Sequence, residues 1–422
     1  MSLTALPGFR DVFPEALARR RLIFGVWRAV AARYGFEEYD GPPLEATDLY
    51  TRKSGEEIVA QLYRFTDRGG RDVSLRPEMT PTLARMVAQR AAALRKPIRW
   101  YSIPQLFRYE RQQRGRLREH FQLNMDIIGE AGPLADAEVI AAAIDILRGL
   151  GFGPADVRAR LSDRRVLAGT LTADCGVRDD ELTGVLAGLD KFEKSPEATA
   201  EAVAQALSGD AQRADAVLAF AAHLGEPATL LARQSAAPLR ECVDALGAMG
   251  LGGFVDVDFR VVRGLAYYTG IVFELFDAQQ SLRAICGGGR YDDLLKQIGG
   301  TDLPMVGFGM GDVVLGELIG DRDGSPAAGA PVQVFVATVS DADRPVALAL
   351  VHALRERGLG VEFGLRRQAI GKQLELAAVR GAQHAVVIGP DERAAGQAVV
   401  RSLTTKQETR VALDALARDY AF

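Results

Sequence analysis

The sequence predicts a chain with two folded parts, an α+β part over residues 1–320 and a small α/β domain over residues 332–422, joined by a linker at 321–331. Three observations lead to this prediction. The 422 residues suffice for two or three domains of about 150 residues each. A stretch rich in Gly, Pro, Ala and Asp, GDRDGSPAAGAP, interrupts the regular patterns from residue 320 onward. Beyond it, strands of period two alternate with helical spacing, as they do in an α/β domain.

Composition excludes several classes of protein. Apolar residues make up 48% of the chain and charged residues 25%, which is typical of folded proteins and excludes disorder, collagen and coiled coil. The chain has 51 Lys and Arg and 55 Asp and Glu, which gives a net charge of −4. A nucleic acid would therefore have to be bound by a local basic patch. No apolar run reaches the length of a membrane span, so we expect a cytoplasmic protein without a membrane partner. The cysteines and histidines are too scattered to predict a disulfide framework or a metal site.

The first predicted element is a helix over residues 14–34. Its apolar residues recur at helical spacing and form one face, which we expect to be buried against the rest of the domain. They are Leu22, Ile23, Val26, Ala29 and Val30.

The segment HFQLNMDIIG at residues 120–129 predicts a strand with two different faces. Apolar side chains alternate with Gln122, Asn124 and Asp126, and a strand directs alternate side chains to opposite sides of the sheet. One face is therefore apolar, and the other carries polar groups suited to chemistry.

A second strand is predicted just upstream, in WYSIPQLFRYER, with Arg108 and Glu110 opposite Phe107 and Tyr109. The two strands are joined by the basic stretch RQQRGRLR at residues 111–118. A charge run of this kind is more often a solvated hairpin than a binding site, so this stretch alone does not identify a function.

Helices are predicted for an insertion at about residues 165–250, where the chain is rich in Ala and poor in candidate catalytic groups. In the C-terminal domain, PVQVFVATV, GVEFGL, HAVVIGP and QAVVRSL predict strands, and helical spacing follows the first strand and recurs at residues 374–380.

Four segments are dense in polar groups or glycine: LRPEMT, FRYERQQRGRLREHFQLNMD, RGLAYYTG, and the pair ICGGGRYD and VGFGMGD. Each has a purely structural alternative. The carboxylate of Glu78 could stabilise a helix N-terminus, Tyr267 and Tyr268 could be core aromatics, and the glycines could supply turn geometry.

Taken together, the segments suit a site for a polyanion and a small zwitterion. Neither a dinucleotide fingerprint in a βαβ unit nor a P-loop is present. Several arginines on one sheet face suit phosphates and a carboxylate, Glu78 suits an ammonium group, and Asp126 suits a ring N–H. No nucleophile with a base occurs, so we expect catalysis by positioning and electrostatics.

These segments, in this order, resemble the class II aminoacyl-tRNA synthetases, and among them the histidyl-tRNA synthetases. GFEEYDGPPLE resembles motif 1, FRYERQQRGRLREHFQ resembles motif 2, and RGLAYYTGIVFE with CGGGRYDDL resembles the two histidine-specific stretches. IGKQLELAAVRGAQHAVVIGPDE resembles the anticodon-binding domain of that family. The resemblance implies an α+β catalytic domain with an antiparallel sheet flanked by helices, a helical insertion and a C-terminal anticodon-binding-like domain.

The resemblance also implies roles for individual residues. Arg108 corresponds to the arginine that contacts the α-phosphate and the amino-acid carboxylate, Arg116 to a loop arginine that reaches the ATP phosphates, and Arg263 to the cation beside the reacting groups. Arg263 and Arg108 are thus the catalytic candidates. The histidine-binding candidates are Glu78, Thr80, Gln122, Asp126, Tyr267 and Tyr268, with Asp126 and Tyr268 reading the imidazole.

The implied reaction is activation of histidine with ATP and Mg²⁺ to histidyl-adenylate, followed by transfer to tRNA(His), in a homodimer. Three positions depart from the family pattern: Val314 replaces an arginine of motif 3, Ala266 replaces an acid, and Asp126 replaces the commoner Glu. A synthetase-like paralogue that binds histidine as a regulatory subunit is the alternative, and a tRNA-binding protein without adenylation is a third possibility. Regulatory paralogues typically lack a C-terminal domain, so its presence here favours the ligase.

Overall fold

The computed structural model shows two compact units, Met1–Pro326 and Ala327–Phe422. The predicted linker at 321–331 and Ala266 lie outside the residues that the structure describes. The described residues are 3–51, 59–111, 113, 115–193, 195–263, 267–279, 281–320 and 332–422.

The first unit is built around a large mixed sheet. Among the described residues the sheet has nine strands, in the order β1-β5-β7-β12-β11-β10-β8-β9 with β6 paired to β7. Its inner neighbours are antiparallel, as predicted, whereas the edge pairs β1/β5 and β8/β9 are parallel. The strands of this unit are β1 (Glu37–Glu38), β2 (Leu44–Ala46), β3 (Arg64–Thr66), β4 (Asp72–Leu75), β5 (Ile98–Ser102), β6 (Gln105–Phe107), β7 (Glu119–Ile128), β8 (Val157–Asp163), β9 (Val255–Val257), β10 (Ile271–Asp277), β11 (Cys286–Arg290) and β12 (Met305–Gly311).

Helices pack on both faces of this sheet and form the stretch between β8 and β9. Those from α5 to α10 fall where the helical insertion is predicted, at about residues 165–250. The helices of the unit are α1 (Pro14–Arg33), α2 (Asp48–Thr51), α3 (Thr80–Arg90), α4 (Pro133–Gly149), α5 (Arg164–Cys175), α6 (Asp179–Leu189), α7 (Pro196–Ala206), α8 (Ala211–Ala222), α9 (Ala228–Leu231), α10 (Ala237–Ala248), α11 (Leu294–Gly299) and α12 (Asp312–Gly320). Among the described residues, none of the helices is long and apolar enough to cross a membrane.

Helix α1 begins and ends close to the predicted bounds, but its buried stripe differs from the prediction. Ile23 and Val30 are buried as expected, together with Trp27 and Ala31, whereas Leu22 is exposed. The stripe therefore lies one position further along the helix, because the large Trp27 ring determines which face meets the core. Predicted Ala29 is likewise exposed.

Strand β7 has the two faces that its alternation predicts. Leu123, Met125 and Ile127 are buried in the main core with helix α4. The opposite face carries Gln122, Asn124 and Asp126, which line a cavity. Burial of one face fixes the register of a strand, because a slip by one residue would exchange the two faces.

The predicted strand upstream of β7 is shorter than expected. It is interrupted after Ser102 and resumes as β6, which ends at Phe107, so Arg108 and Glu110 lie beyond the strand. Pro104 lacks an amide hydrogen, which explains the interruption. One further backbone bond, from Arg108 N to Arg118 O at 3.0 Å, still joins Arg108 to the chain that enters β7.

The second unit is an α/β domain with a five-stranded sheet in the order β14-β13-β15-β16-β17. Strands appear at the four predicted segments, and helix α14 covers the predicted residues 374–379 but begins four residues earlier. The last strand, β17, was not predicted, because it lies at the sheet edge, is mostly exposed and lacks apolar alternation. The elements are β13 (Val334–Thr338), α13 (Arg344–Glu356), β14 (Val361–Phe363), α14 (Ile370–Val379), β15 (His384–Ile388), α15 (Pro390–Ala394), β16 (Gln397–Ser402), β17 (Glu408–Ala412) and α16 (Leu413–Arg418).

Candidate active site

One cavity of about 860 Å³ lies on the polar face of the large sheet. Every residue of the predicted site lines it, although these residues come from segments separated by up to 190 positions. The sequence-predicted residues along its wall are Glu78, Thr80, Arg108, Arg116, Gln122, Asp126, Arg263, Tyr267 and Tyr268.

Glycines on β11 and β12 make room for the polar side chains of the site. A Cβ on Gly307 would overlap the Asp126 carboxylate, and one on Gly287 would overlap the Arg263 guanidinium. A Cβ on Gly309 would come within 2.8 Å of the Gln122 amide group. These glycines therefore lie in strands, where the lack of a side chain leaves space for a neighbour. The alternative that they supply turn geometry is wrong for these positions.

One end of the cavity combines a buried carboxylate with three tyrosines. Asp126 is only 4% exposed, and the hydroxyl of Tyr291 donates a hydrogen bond to its Oδ1. The ring of Tyr291 lies 5.7 Å from that of Tyr267 and 6.3 Å from that of Tyr268, both nearly edge to face. We call Asp126, Tyr267, Tyr268 and Tyr291 the tyrosine-carboxylate end.

Burial determines the ionisation of the tyrosine-carboxylate end. It raises the pKa of Asp126 to about 7, although the hydrogen bond from Tyr291 acts in the opposite direction. Burial also raises the pKa of Tyr267 and of Tyr291 well above the ordinary value, so both remain neutral phenols at physiological pH. The end thus offers one titratable acceptor among neutral donors.

Glu78 and Thr80 occupy the turn between β4 and helix α3. Glu78 is buried, and Thr80 is the first residue of the helix. The Nε of Arg108 donates to the carbonyl of Pro77 at 2.9 Å, so Arg108 is oriented by the same turn. The Glu78 carboxylate, the Thr80 hydroxyl and the Arg108 guanidinium therefore all line the cavity beside this turn.

Arg116 is held by a carboxylate that sequence analysis did not select. Its Nε forms an ion pair with Glu110, and its NH2 donates to the other Glu110 oxygen at 2.7 Å. Glu110 is 7% exposed, whereas the Arg116 side chain remains 30% exposed and accessible from the cavity. The planar guanidinium matches a carboxylate with two parallel bonds, which orients Arg116 before any ligand binds.

Arg263 has a left-handed backbone, with φ of 58°, a conformation that costs a residue with a Cβ about 1–2 kcal/mol. Its NH1 donates to Glu274 at 2.5 Å and its NH2 to the Tyr268 hydroxyl at 3.4 Å. Burial opposes the charged form of Arg263, but Tyr268 and Glu274 raise its pKa above the ordinary value. Arg263 is therefore a fixed cation in the cavity.

From the sequence, Arg263 could also have a purely structural role, capping a sheet edge and pairing with a neighbouring carboxylate such as Asp258, but in the structure its partner is Glu274. Asp258 instead accepts hydrogen bonds at 2.7 Å from Arg160 and Arg260. Glu274, the carboxylate that pairs with Arg263, lies on β10, which is the neighbour of β8 in the sheet.

His120 also lines the cavity, at the position of β7 two residues before Gln122. Burial lowers the pKa of its imidazole to about 3, and the positive charge of Arg108 acts in the same direction. The ring is thus neutral at physiological pH. His120 is one of four histidines scattered along the chain, but the alternation of β7 places it on the polar face together with Gln122.

Val314, the residue at the departure in motif 3, is 9% exposed and lines the same cavity. Among the described residues, no group of three or more His, Cys, Asp and Glu side chains is arranged to hold a metal ion. The cations that the described cavity wall supplies are arginines: Arg108, Arg116, Arg160, Arg260, Arg263 and Arg283.

Comparison with known proteins gives consistent matches along the chain. The family described as histidyl-tRNA synthetase matches residues 8–311, and the anticodon binding domain matches residues 333–418. A histidine–tRNA ligase of Opitutus terrae is 46% identical over 432 residues, covering 99% of this chain and 98% of that protein. The chloroplastic/mitochondrial histidine–tRNA ligase of Arabidopsis thaliana is 39% identical, covering 97% of this chain and 85% of that protein.

A solved structure shares the fold over the same span. The crystal structure of histidyl-tRNA synthetase from Nostoc sp. PCC 7120 has a TM-score of 0.77 and covers 99% of both chains at 24% sequence identity. At that identity the likeness supports the fold, and the sequence relatives carry the comparison of function.

Proposed function

The chain belongs to the histidyl-tRNA synthetase family, and from this premise we infer that it joins histidine to tRNA(His) in an ATP-dependent reaction. It is an aminoacyl-tRNA ligase that activates histidine as histidyl-adenylate and releases AMP on transfer. The observation that best supports this function is that one cavity combines a buried carboxylate among tyrosines with arginines that are paired with carboxylates.

At the tyrosine-carboxylate end, we propose that Asp126 accepts a hydrogen bond from an imidazole N–H of histidine. The buried location supports this role, because a ligand without that N–H would leave the carboxylate with the hydrogen bond from Tyr291 alone, which costs about 1–3 kcal/mol. Tyr268 and Tyr267 provide phenols beside the ring, and Glu78, Thr80 and Gln122 lie where the α-amino end of histidine would bind.

Adenylation requires the histidine carboxylate to attack the α-phosphorus of ATP while pyrophosphate leaves. Negative charge then develops on the phosphate oxygens, and a cation fixed in advance stabilises it without reorganisation. We assign this role to Arg263 with Arg108, because Arg263 is held by Glu274 and Arg108 by the Pro77 carbonyl. Arg116 would contact the ATP phosphates, sharing its guanidinium with Glu110.

We propose that ATP enters as its magnesium complex. The described carboxylates beside the catalytic arginines, Glu110 and Glu274, are engaged with Arg116 and Arg263, which suits an ion bound mainly by phosphates. Bound Mg²⁺ would neutralise charge on the leaving pyrophosphate. In the second step a terminal hydroxyl of tRNA attacks the carbonyl carbon of the adenylate, and AMP leaves.

The division of labour between the two parts of the chain is also a proposal. All assigned residues precede residue 320, so we propose residues 1–320 as the catalytic domain and 332–422 as the domain that contacts the anticodon region. Arg367, Lys372 and Arg380 in the second unit have exposed side chains, and although each is paired with a carboxylate, a polyanion could replace these surface partners. ATP and tRNA as substrates favour the cytoplasm as the place of action.

A homodimer is proposed as the working assembly. Within the described residues, the three-stranded sheet β2-β4-β3 exposes Leu44 to 39% and Phe65 to 49%, and Leu44 belongs to the segment that resembles motif 1. We take these two side chains as candidates for the subunit contact, because a partner subunit would remove their apolar surface from water. Sedimentation velocity should show a dimer that Leu44→Glu and Phe65→Glu dissociate, whereas a monomeric wild-type protein would contradict the proposal.

Pyrophosphate exchange with each of the twenty amino acids tests the function as a whole. Histidine should support exchange far better than any other amino acid, and the protein should then charge tRNA(His). Histidine binding without exchange would instead favour the regulatory paralogue.

A further inference from the structure

Arg164 contacts both ends of the segment that carries Arg263 and the two site tyrosines. The backbone N–H of Arg164 donates to the carbonyl of Gly270 at 3.0 Å, where β10 is about to begin. Its guanidinium NH1 donates to the carbonyl of Arg263 at 3.2 Å. One residue therefore joins the two ends of RGLAYYTG from outside the segment.

The position of Arg164 is itself constrained, so it can hold the segment that it contacts. It is the first residue of α5, directly after the helix cap Asp163, and is only 8% exposed. A buried guanidinium at the start of a helix has few alternative positions, because its backbone is held by the helix and its side chain by packing.

The contact falls on the residue whose backbone most needs support. Arg263 has a left-handed φ of 58° although it carries a side chain. A residue keeps such a conformation only when its surroundings determine it. Glu274 and the space at Gly287 position the guanidinium of Arg263, and Arg164 holds its carbonyl.

A second group connects Arg164 to the rest of the helical insertion. Asp190 follows helix α6, lines the cavity and acts on the Arg164 guanidinium through its negative charge. Helices α5 and α6 therefore both contribute to the environment of Arg164. The contact that joins the insertion to Arg263 is the hydrogen bond from the Arg164 guanidinium to the Arg263 carbonyl.

We propose that Arg164 is a positioning residue for Arg263, and that through it the helical insertion sets the rate of adenylate formation. The role rests on the proposed function, since it takes Arg263 as the cation of the adenylation step. As a positioning residue, Arg164 contacts Arg263 and no reacting atom. It keeps the Arg263 guanidinium where the phosphate charge develops, and displacement by about 1 Å at such a site can slow a reaction about a hundredfold.

Single-turnover formation of histidyl-adenylate by the full-length protein tests the proposal, with histidine affinity measured separately. Arg164→Gln should lower the rate constant about ten- to hundredfold and change the dissociation constant of histidine by less than about threefold. Arg164→Lys, which keeps the charge and one donor, should restore part of the rate. The matched control is Arg165→Gln, which removes the neighbouring guanidinium that pairs with Asp163.

A double-mutant cycle separates positioning from a general loss of structure. In the Arg263→Ala background, Arg164→Gln should have no further effect, because the residue on which it acts has been removed. An equal slowing in both backgrounds would overturn the proposal. Pyrophosphate exchange by the wild-type protein tests the proposed function independently. If the wild type is active and Arg164→Gln forms the adenylate at the same rate, only the role of Arg164 is overturned.

Asp190→Asn provides a test that leaves Arg164 in place. Asp190 is exposed, so this variant should fold like the wild type. Loss of its charge should slow adenylate formation about two- to fivefold, again with little change in histidine affinity. Equal rates for wild type, Arg164→Lys and Asp190→Asn would overturn the proposal even if Arg164→Gln failed to fold.

Discussion

The two ends of the cavity are built on different principles. At the tyrosine-carboxylate end, Asp126 is bound by the neutral phenol of Tyr291. In the adjoining part of the wall, joined to it by a hydrogen bond from Arg263 to the Tyr268 hydroxyl at 3.4 Å, each of two arginines is paired with its own carboxylate, Arg116 with Glu110 and Arg263 with Glu274. We call the latter residues, with Arg108, the arginine end.

The difference has a physical consequence. A single acceptor among neutral donors favours a ligand that supplies one N–H at the right place, so the tyrosine-carboxylate end suits selection. Fixed cations whose charge is balanced before ATP arrives suit stabilisation of charge that appears only during reaction. Changes at the two ends should therefore affect different kinetic constants, with the largest effect expected at the arginine end.

The largest effect is expected for Arg263→Ala. Removing the fixed cation should cost about 2.7–4 kcal/mol in the transition state, a hundredfold to thousandfold fall in the single-turnover rate of adenylate formation. Histidine affinity should fall much less. The matched control is Arg158→Ala, which breaks a guanidinium pair with Asp256 outside the cavity wall and should leave the rate unchanged.

Asp126→Asn should raise the histidine requirement roughly tenfold to a hundredfold, the range for a hydrogen bond to a charged group. The ATP requirement should change little, because the hydrogen bond that Asp126 accepts comes from Tyr291 and not from an arginine assigned to the phosphates. Steady-state exchange at varied histidine and varied ATP measures both. Asp145→Asn, which alters a carboxylate bound by the Tyr34 hydroxyl at 2.9 Å, is the control. Equal effects on the two substrates would make Asp126 a structural carboxylate.

The contribution of Asp126 should depend on pH. Its pKa of about 7 means that the carboxyl is mostly protonated below pH 7 and ionised above it. Since only the ionised form accepts the imidazole N–H as a carboxylate, its advantage over Asn should grow as the pH rises through about 7. The ratio of kcat/KM for histidine between wild type and Asp126→Asn cancels the titration of histidine itself. A ratio constant from pH 5.5 to 8.5 would show that Asp126 does not change charge in this range.

Tyr291→Phe should have a smaller effect in the same direction, about two- to tenfold on the histidine requirement, because one neutral hydrogen bond is lost. Acting through Asp126, it should have no further effect in the Asp126→Asn background. Tyr34→Phe, a tyrosine with a carboxylate partner elsewhere, is the matched control. Additive losses in the double variant would mean that Tyr291 acts on histidine separately.

The smallest effect on adenylation is expected when the chain is truncated after Gly320. Both ends of the cavity lie in the first unit, so exchange should stay within about twofold of the full-length rate. Aminoacylation should weaken, because the proposed contact with the anticodon region is lost. A truncated protein that is folded and dimeric but cannot exchange would contradict the division between the two parts.

Much of this architecture follows from local patterns. The alternation in β7 was enough to predict its buried face and the cavity-facing Gln122, Asn124 and Asp126, and the resemblance supplied the arginines and tyrosines. These features can be predicted from the sequence because strand period and motif spacing are properties of a short stretch of sequence.

The partners of the site residues were not readable in this way. Tyr291 lies 165 residues from Asp126, and Glu274 pairs with Arg263 across a segment that has no regular pattern. The register of β12 with β7, which sets Gly307 opposite Asp126, decides which side chains meet. Such pairing depends on the assembled sheet, and neither spacing nor composition encodes it locally.

A single-turnover titration with histidine, carried out side by side on Arg263→Ala and Asp126→Asn, tests the central contrast most directly. It gives the rate constant at saturating histidine and the histidine dissociation constant for each variant. We expect Arg263→Ala to lose rate and nearly retain affinity, and Asp126→Asn to lose affinity and nearly retain rate. If both variants changed the same constant to the same extent, the assignment of histidine selection to Asp126 and of catalysis to Arg263 would be contradicted.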